Sequence, residues 1–328
     1  MSQAPAQRES VGAAGLPRAG SPSGGVDLAP MRRLAPWRWG SYVAGDWALI
    51  VGAFAAAAWL STWWAYLAAL LLVGNRQHAL VILGHEGAHR LVTRRRHLND
   101  ALTQVLCFWP VGIDVASYRE FHFAHHRNLN TPDDPEMAYR EMGAPGWDVP
   151  RPRWQVALRF AADLVGLGAL EVFRIFRFAR PHGWRGASGP VVLHGAVIGA
   201  SVVAGAWWIP VLWWSAGLTS FSAVWRFRCW LEHLGTEDTH RLHLTAVERF
   251  LFAPHNISYH WEHHHCSGIP FWNLPRLRRE TPGVPVIRLW ELFRYYERCA
   301  KIASGTPTLD AEERQALDRR SPARELGG

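Results

Sequence analysis

The chain is predicted to be an all-α, multi-pass membrane protein, with about four transmembrane helices in two hairpins and a cytosolic helical cap. Three observations predict this. Of 328 residues, 49% are hydrophobic and 19% charged, yet the apolar ones gather in a few long runs, while both ends are polar and rich in Arg, Pro and Gly. Many of the 19 tryptophans end those runs, as at Trp63, Trp64, Trp207, Trp208, Trp213 and Trp214. Indoles favour the boundary between hydrocarbon and water. The formal charge of +8 is almost wholly arginine, with Lys301 the only lysine, and the arginines flank apolar runs. That placement fits an anionic membrane surface and argues against nucleic acid.

Taken in order, residues 1–35 are small, polar and rich in Pro and Gly, and are predicted to be a disordered tail. Residues 43–60 are nearly all apolar, with Asp46 near one end, and are long enough to cross a bilayer. Ser61 and Thr62 mark a turn. The run 63–74 continues through Asn75-Arg76-Gln77-His78 into 79–83, which predicts one long helix whose last turns leave the lipid carrying His85 and His89. Residues 102–115, interrupted by Pro110 and Gly112, are too short to cross and read as a dip or a cap. Residues 157–180 alternate apolar faces with Arg159, Arg174, Arg177 and Arg180, the pattern of a helix lying in the interface. Residues 189–209 form a third span, broken by Pro210, and 211–225 supply most of a fourth, running on toward Glu232 and His233. The membrane domain is expected over 40–300, followed by a polar tail over 301–328. A soluble protein would need a core large enough to hide four such stretches.

Arg32, Arg33 and Arg38 before the first span, and Arg90, Arg94, Arg95 and Arg96 after the second, place both regions in the cytosol by the positive-inside rule. Both termini and all the histidine clusters described next then fall on that side. Cys107, Cys229, Cys266 and Cys299 show no CxxC spacing and read as reduced thiols.

Three short clusters stand out among 17 histidines: His85-Glu-Gly-Ala-His89, His122-Phe-Ala-His125-His126 and His260-Trp-Glu-His263-His264. Positions i, i+3 and i+4 share one helical face, so each cluster presents two or three ring nitrogens to one side. Neutral imidazole suits zinc, copper, iron or nickel. The first cluster matches the zinc-protease pattern HExxH, with Glu86 in the place of a general base. A catalytic zinc needs only three protein ligands, which leaves most of the other histidines without a role; two metals account for them better.

The order HEGAH, HFAHH, HWEHH among paired apolar hairpins resembles the membrane fatty acid desaturase superfamily, which also includes hydroxylases and carotenoid ketolases. The likeness extends to Arg76-Gln-His78, Arg127-Asn-Leu-Asn-Thr-Pro-Asp-Asp-Pro135, Asn256-Ile-Ser-Tyr-His260 and Ile269-Pro-Phe-Trp-Asn-Leu-Pro275, and covers roughly residues 40–290. The resemblance implies a di-iron centre held by His85, His89, His122, His125, His126, His260, His263 and His264. The resemblance also implies a further ligand between the second and third clusters, just beyond the last spans, where Glu232-His233 falls, making His233 the ninth candidate. Asn256 is a candidate holder of a metal-bound water and His78 of a supporting position. Glu232, Glu262, Asp133 and Asp134 either orient ligands or sit in solvent and turns. The implied reaction introduces a double bond into a lipid acyl chain with O2 and two electrons, delivered by a separate ferredoxin or rubredoxin with its reductase. The rival readings are a hydroxylase or ketolase of the superfamily and an HExxH membrane zinc protease.

Overall fold

A computed structural model describes residues 26–136, 152–168, 183–233, 239–294 and 297. Residues 1–25 of the predicted tail over 1–35, the predicted tail over 301–328, and the part of the interfacial segment beyond residue 168 lie outside the described residues; within 26–35, Met31 is fully buried and its carbonyl accepts Asn273 Nδ2 at 2.7 Å, so this part of the predicted tail is packed. The fold is helical, apart from a two-residue parallel pairing of β1 (Leu242–His243) with β2 (Ile287–Arg288).

Helix α1 (Pro36–Leu60) starts with Pro at its first position, where a missing N–H costs nothing. It stops at Ser61, which takes a left-handed conformation (φ 49°), and α2 (Trp63–Ala88) returns alongside it. The predicted turn at Ser61 and Thr62 is therefore present, and α2 runs unbroken to the first histidine cluster. α2 is the central pillar: 72% of its apolar stretch is buried, against 28% for α1. Gly74 permits a close approach, since a Cβ there would lie 1.9 Å from Ser220 Oγ.

After α2, α3 (Arg96–Thr103) passes into a π-helical turn (Gln104–Phe108) and a 3-10 turn (Trp109–Val111), closed by Gly112 at φ +76°. The predicted dip is thus a short helical element with one face exposed at Val105 and the other buried, its Phe108 fully enclosed against Gly84 of α2. α4 (Val115–Asn128) follows, capped by Asp114, which accepts the Ser117 N–H. α5 (Arg153–Leu164) is bound to the next bundle by a buried pair, Asp163 with Arg226 at 3.2 Å.

The third span, α6 (Gly183–Val203), ends six residues before the predicted Ile209, because Gly205 turns the chain at φ +68°. Pro210 does not break it; it sits in the first turn of α7 (Trp208–Ala216), where proline is tolerated. The predicted fourth span is built from α7, a π-helical turn (Gly217–Phe221) and α8 (Ser222–His233), with right-handed helical backbone at both junctions. Among the described residues, three helices are long and apolar enough to cross a membrane: α1, α2 and the 186–203 part of α6. Three short helices complete the cap: α9 (Ala246–Phe252), α10 (His260–His265) and α11 (Leu274–Glu280).

Candidate metal centre

Seven of the nine candidate histidines sit near the C-terminal end of a helix; His122 lies one turn before the end of α4, and His260 begins α10. His85 lies in the last turn of α2 and His89 is its cap; His125 and His126 end α4, His233 ends α8, and His263 and His264 end α10. Helix C-termini carry partial negative charge, so four of them converging is an electrostatic setting for cations.

Local contacts fix these ends. In the first cluster Gly87 is required, because a Cβ there would lie 1.8 Å from Thr103 Oγ1. Arg119 ties α4 to α2 by donating to the carbonyls of Ala88 (2.8 Å) and Gly87 (3.2 Å), and pairs with Asp100 at 2.6 Å. Glu262, buried on α10, accepts Arg241 Nε at 2.5 Å and Arg278 Nε at 2.6 Å. Those guanidinium groups also lie over the rings of Trp261 and Tyr259.

The nine predicted histidines come together in two adjoining groups. One contains His85, His89, His122, His126 and His263; the other contains His125, His233, His260 and His264; within each, donor nitrogens lie within 4.8 Å of one another. The groups touch: the rings of His126 and His264 stack with centres 4.2 Å apart. Nε2 atoms face Nε2 atoms, at 2.9 Å for His89 and His122, 2.9 Å for His122 and His126, and 3.1 Å for His126 and His263. In the second group the spacings are 2.8 Å for His233 and His260 and 3.0 Å for His260 and His264. A neutral imidazole offers one donor and one acceptor, so chains of shared Nε2 contacts are poor hydrogen bonding. They fit a metal well: two nitrogens at right angles, each about 2.1 Å from an ion, lie about 3.0 Å apart. Both ring nitrogens of buried His85 also lack a hydrogen-bond partner among the described residues. The donor set therefore fits two nitrogen-ligated ions.

Burial, followed by repulsion from neighbouring rings, pushes His122, His260, His263 and His264 well below the usual imidazole range, and His126 to about 4. Neutral rings with available lone pairs are what metal binding needs.

Other expectations divide. Asp134, fully buried, lies 3.0 Å from His125 Nδ1 through Oδ1 and accepts the Asn130 and Glu136 N–H groups. Burial pushes its carboxyl up, but these hydrogen bonds outweigh that and hold it below the usual range. Glu232 is also buried, 2.9 Å from Arg228 Nη1 and 3.6 Å from His260 Nε2. Glu262 serves the arginine clamp and not a ring. Asn256 donates through Nδ2 to the Phe271 carbonyl. His78 is enclosed against Phe221 and belongs to neither group. His194 bonds the Trp109 carbonyl and His265 the Trp261 carbonyl. Glu86 accepts the Phe271 N–H at 3.0 Å, so the protease reading, which needs that carboxylate on a metal-bound water, is not favoured.

Sequence reasoning missed one brace. His255 Nε2 lies 2.6 Å from Asp46, which also pairs with Arg76 at 3.1 Å, joining α1 and α2 to the loop before the third cluster. Its signal was the presence of Asp46 and Arg76 inside apolar runs, where charged residues need partners.

Comparison with known proteins agrees with this geometry. The profile of the family described as "Fatty acid desaturase" matches residues 61–286. Similar proteins include a dihydrorhizobitoxine desaturase of Bradyrhizobium elkanii, 27% identical over 74% of this chain and 75% of that protein. A beta-carotene ketolase of Paracoccus sp. is 25% identical over 61% of this chain and 73% of its own length. A chloroplastic sn-2 acyl-lipid omega-3 desaturase (ferredoxin) of Helianthus annuus is 32% identical, over 28% of this chain and 21% of that protein.

Proposed function

Because the chain belongs to the fatty acid desaturase family, we propose that it is a membrane di-iron oxidase that introduces a double bond into a lipid acyl chain. The observation that carries the reading is the convergence of nine imidazoles into two adjoining donor groups. His85, His89, His122, His126 and His263 are the proposed ligands of one iron, and His125, His233, His260 and His264 of the other. The pair of irons, when bound, supplies the capacity to reduce O2 and to take hydrogen from an unactivated C–H bond. Overall, the substrate gives up two hydrogens, and O2 takes these with two electrons and two further protons to leave two waters.

The chain's own residues prepare the site for this. Buried rings stay neutral. Asp134 holds the His125 ring so that Nε2 faces its group, the kind of outer support that raises ligand basicity. Glu262 and its two arginines fix α10, and Phe108 and Leu83 beneath the site exclude water. Electrons are proposed to come from a separate donor of ferredoxin or rubredoxin type with its reductase. In support, similar acyl-lipid desaturases carry ferredoxin in their names. The catalytic unit is placed over 40–300, with the metal site and both termini in the cytosol, on the strength of the arginine distribution.

A second reading, ketolation or hydroxylation at the same centre, is supported by the carotene ketolase relatives. Metal analysis of the purified protein together with lipid profiling of expressing cells tests the choice. About two irons per chain, and an unsaturated acyl chain that appears with the wild type but not with His125→Ala, is the expected result. A ketone or hydroxyl product selects the second reading, and one zinc without iron overturns both.

A further inference from the structure

The cap carries an apolar surface that the metal chemistry does not use. Trp154 and Leu158 on α5, Val247, Phe250 and Leu251 on α9, and Trp290 are each between 41% and 67% exposed. Exposed hydrophobic residues scattered singly need no explanation. Of these, Trp154 and Trp290 line one cleft, of about 760 Å³, between α5, α8, α9 and the helical segment that begins at 289, and the others lie on α5 and α9, two of the elements that form it. Phe160, Phe227 and Phe252 form its floor, meeting edge to face with ring centres 4.8–5.9 Å apart. Two exposed arginines, Arg153 and Arg294, stand among the lining residues. Arg294 lies over the Trp290 ring, and Arg153, itself exposed, is 3.6 Å from the half-buried Glu297.

The depth of this surface is fixed by α2. Asn75 Nδ2 donates to the Leu251 carbonyl at 2.6 Å, and Arg76 Nη2 to the Phe250 carbonyl at 3.0 Å. At 1.5 Å per residue, Asn75 lies about 18 Å from the Trp63 end of α2, well inside a hydrocarbon layer about 30 Å thick. Trp63, 78% exposed, marks the far interface. The Phe250–Leu251 end of α9 is thus tied to a level of α2 that the span prediction puts in hydrocarbon, and the apolar cleft at this edge of the cap, with two arginines in its lining, suits contact with lipid.

We propose that this cleft binds an anionic membrane phospholipid, one acyl chain lying on the Phe160–Phe227–Phe252 floor and the headgroup phosphate between Arg153 and Arg294. A volume near 760 Å³ is within the range of small-molecule sites, and guanidinium forks suit phosphate. Phe227 precedes the ligand candidate His233 by six residues, about 9 Å along α8, so an occupant would contact the same rigid helix. The inference rests on the membrane setting and not on the irons.

The test uses the full chain in nanodiscs of phosphatidylcholine, with trace phosphatidylglycerol or phosphatidylcholine carrying a diazirine on the acyl tail, followed by peptide mapping after irradiation. The phosphatidylglycerol probe is expected to label 153–164 and 289–294 several-fold more than the phosphatidylcholine probe does. Ala157→Phe, which puts a ring into the cleft, should remove that labelling. The exposed double change Arg153→Gln with Arg294→Gln, which leaves the packed floor alone, should abolish the headgroup preference. Labelling no greater than along α6, equal labelling by both probes, or labelling unchanged by Ala157→Phe overturns the proposal. Iron content measured on the same samples separates the two readings, since loss of the lipid site with two irons retained leaves the oxidase reading standing.

Discussion

The two histidine groups use the same residue type from the same clusters, yet they are built differently. α4 sends His122 and His126 to the five-ring group and His125 to the four-ring group; α10 sends His260 and His264 to the four-ring group and His263 to the five-ring group. At about 100° per residue, i and i+4 differ by about 40° while i+3 falls about 60° on the other side of i. The i, i+4 pair therefore joins one group, and the i+3 ring reaches across to its neighbour. A shared helical face is thus a pair of half-faces, and an HxxHH cluster is a bridge between two sites. The groups also differ in support. The second has Asp134 on His125 and Glu232 beside His260. In the first, Glu86 Oε1 is 4.0 Å from His85 Nδ1 while Oε2 is bonded to the Phe271 backbone.

The largest expected effect comes from splitting adjacent residues between the groups. His263→Ala and His264→Ala remove neighbours in sequence that belong to different groups. Each should lower iron from about two to about one per chain and cut turnover at least a hundredfold, more than the 10–100-fold typical of outer-support changes. Mössbauer spectra of the two variants should show different residual irons; identical spectra would sink the partition. Next is Asp134→Asn, which keeps the shape but removes the carboxylate behind His125. Activity should fall about 10–100-fold, with metal lost selectively from the four-ring group.

Much of this was legible in the sequence, and what was not has a physical reason. Eight of the rings, the turn at Ser61 and the helix through Asn75 to His85 follow from period and apolar run, which are local properties; His233, which has no cluster around it, does not, and is named only through the family resemblance. The end of the third span did not, because Gly205 and Pro210 both signal a break and only packing decides which one acts. The partition of each cluster depended on how α2, α4, α8 and α10 cross, and no single-helix pattern encodes that. Sequence leaves Glu232 open between support and solvent, and Asp134 between support and a Pro-flanked turn, since burial of a polar residue is set by distant elements. The Asp46–Arg76–His255 brace joins residues up to 209 positions apart, and only the isolated charges hinted at it.

Acid should act on both groups, and more steeply on the five-ring one. In the metal-free protein the buried rings resist protonation, His126 down to about 4, whereas an unfolded imidazole takes a proton near 6.5. Between those values the unfolded chain binds more protons, so stability rises with pH across the window and is lost as pH falls through it. The Tm of the metal-free protein should drop by about 5–10 °C from pH 6.5 to pH 4.5. His122→Phe, which removes one titrating ring from the five-ring group, should flatten the slope. A Tm independent of pH in that window would mean the rings are solvated.

The smallest effect is expected where the pattern looks most catalytic. In a zinc protease Glu86 would be the general base, and Glu86→Gln would abolish activity with the metal retained. Here the side chain instead satisfies the buried Phe271 N–H, and a glutamine amide oxygen can accept the same bond. Glu86→Gln should keep about two irons and lose less than tenfold in turnover. Glu86→Ala, which strands that N–H, should lower stability by about 1–3 kcal/mol. The contrast with Asp134→Asn is what gives this weight: both are carboxylate-to-amide changes beside a histidine group, but only Asp134 holds a ring. If Glu86→Gln proved the more damaging of the two, the carboxylate of the first cluster would have to face the metals, and the difference between the two groups would need to be redrawn.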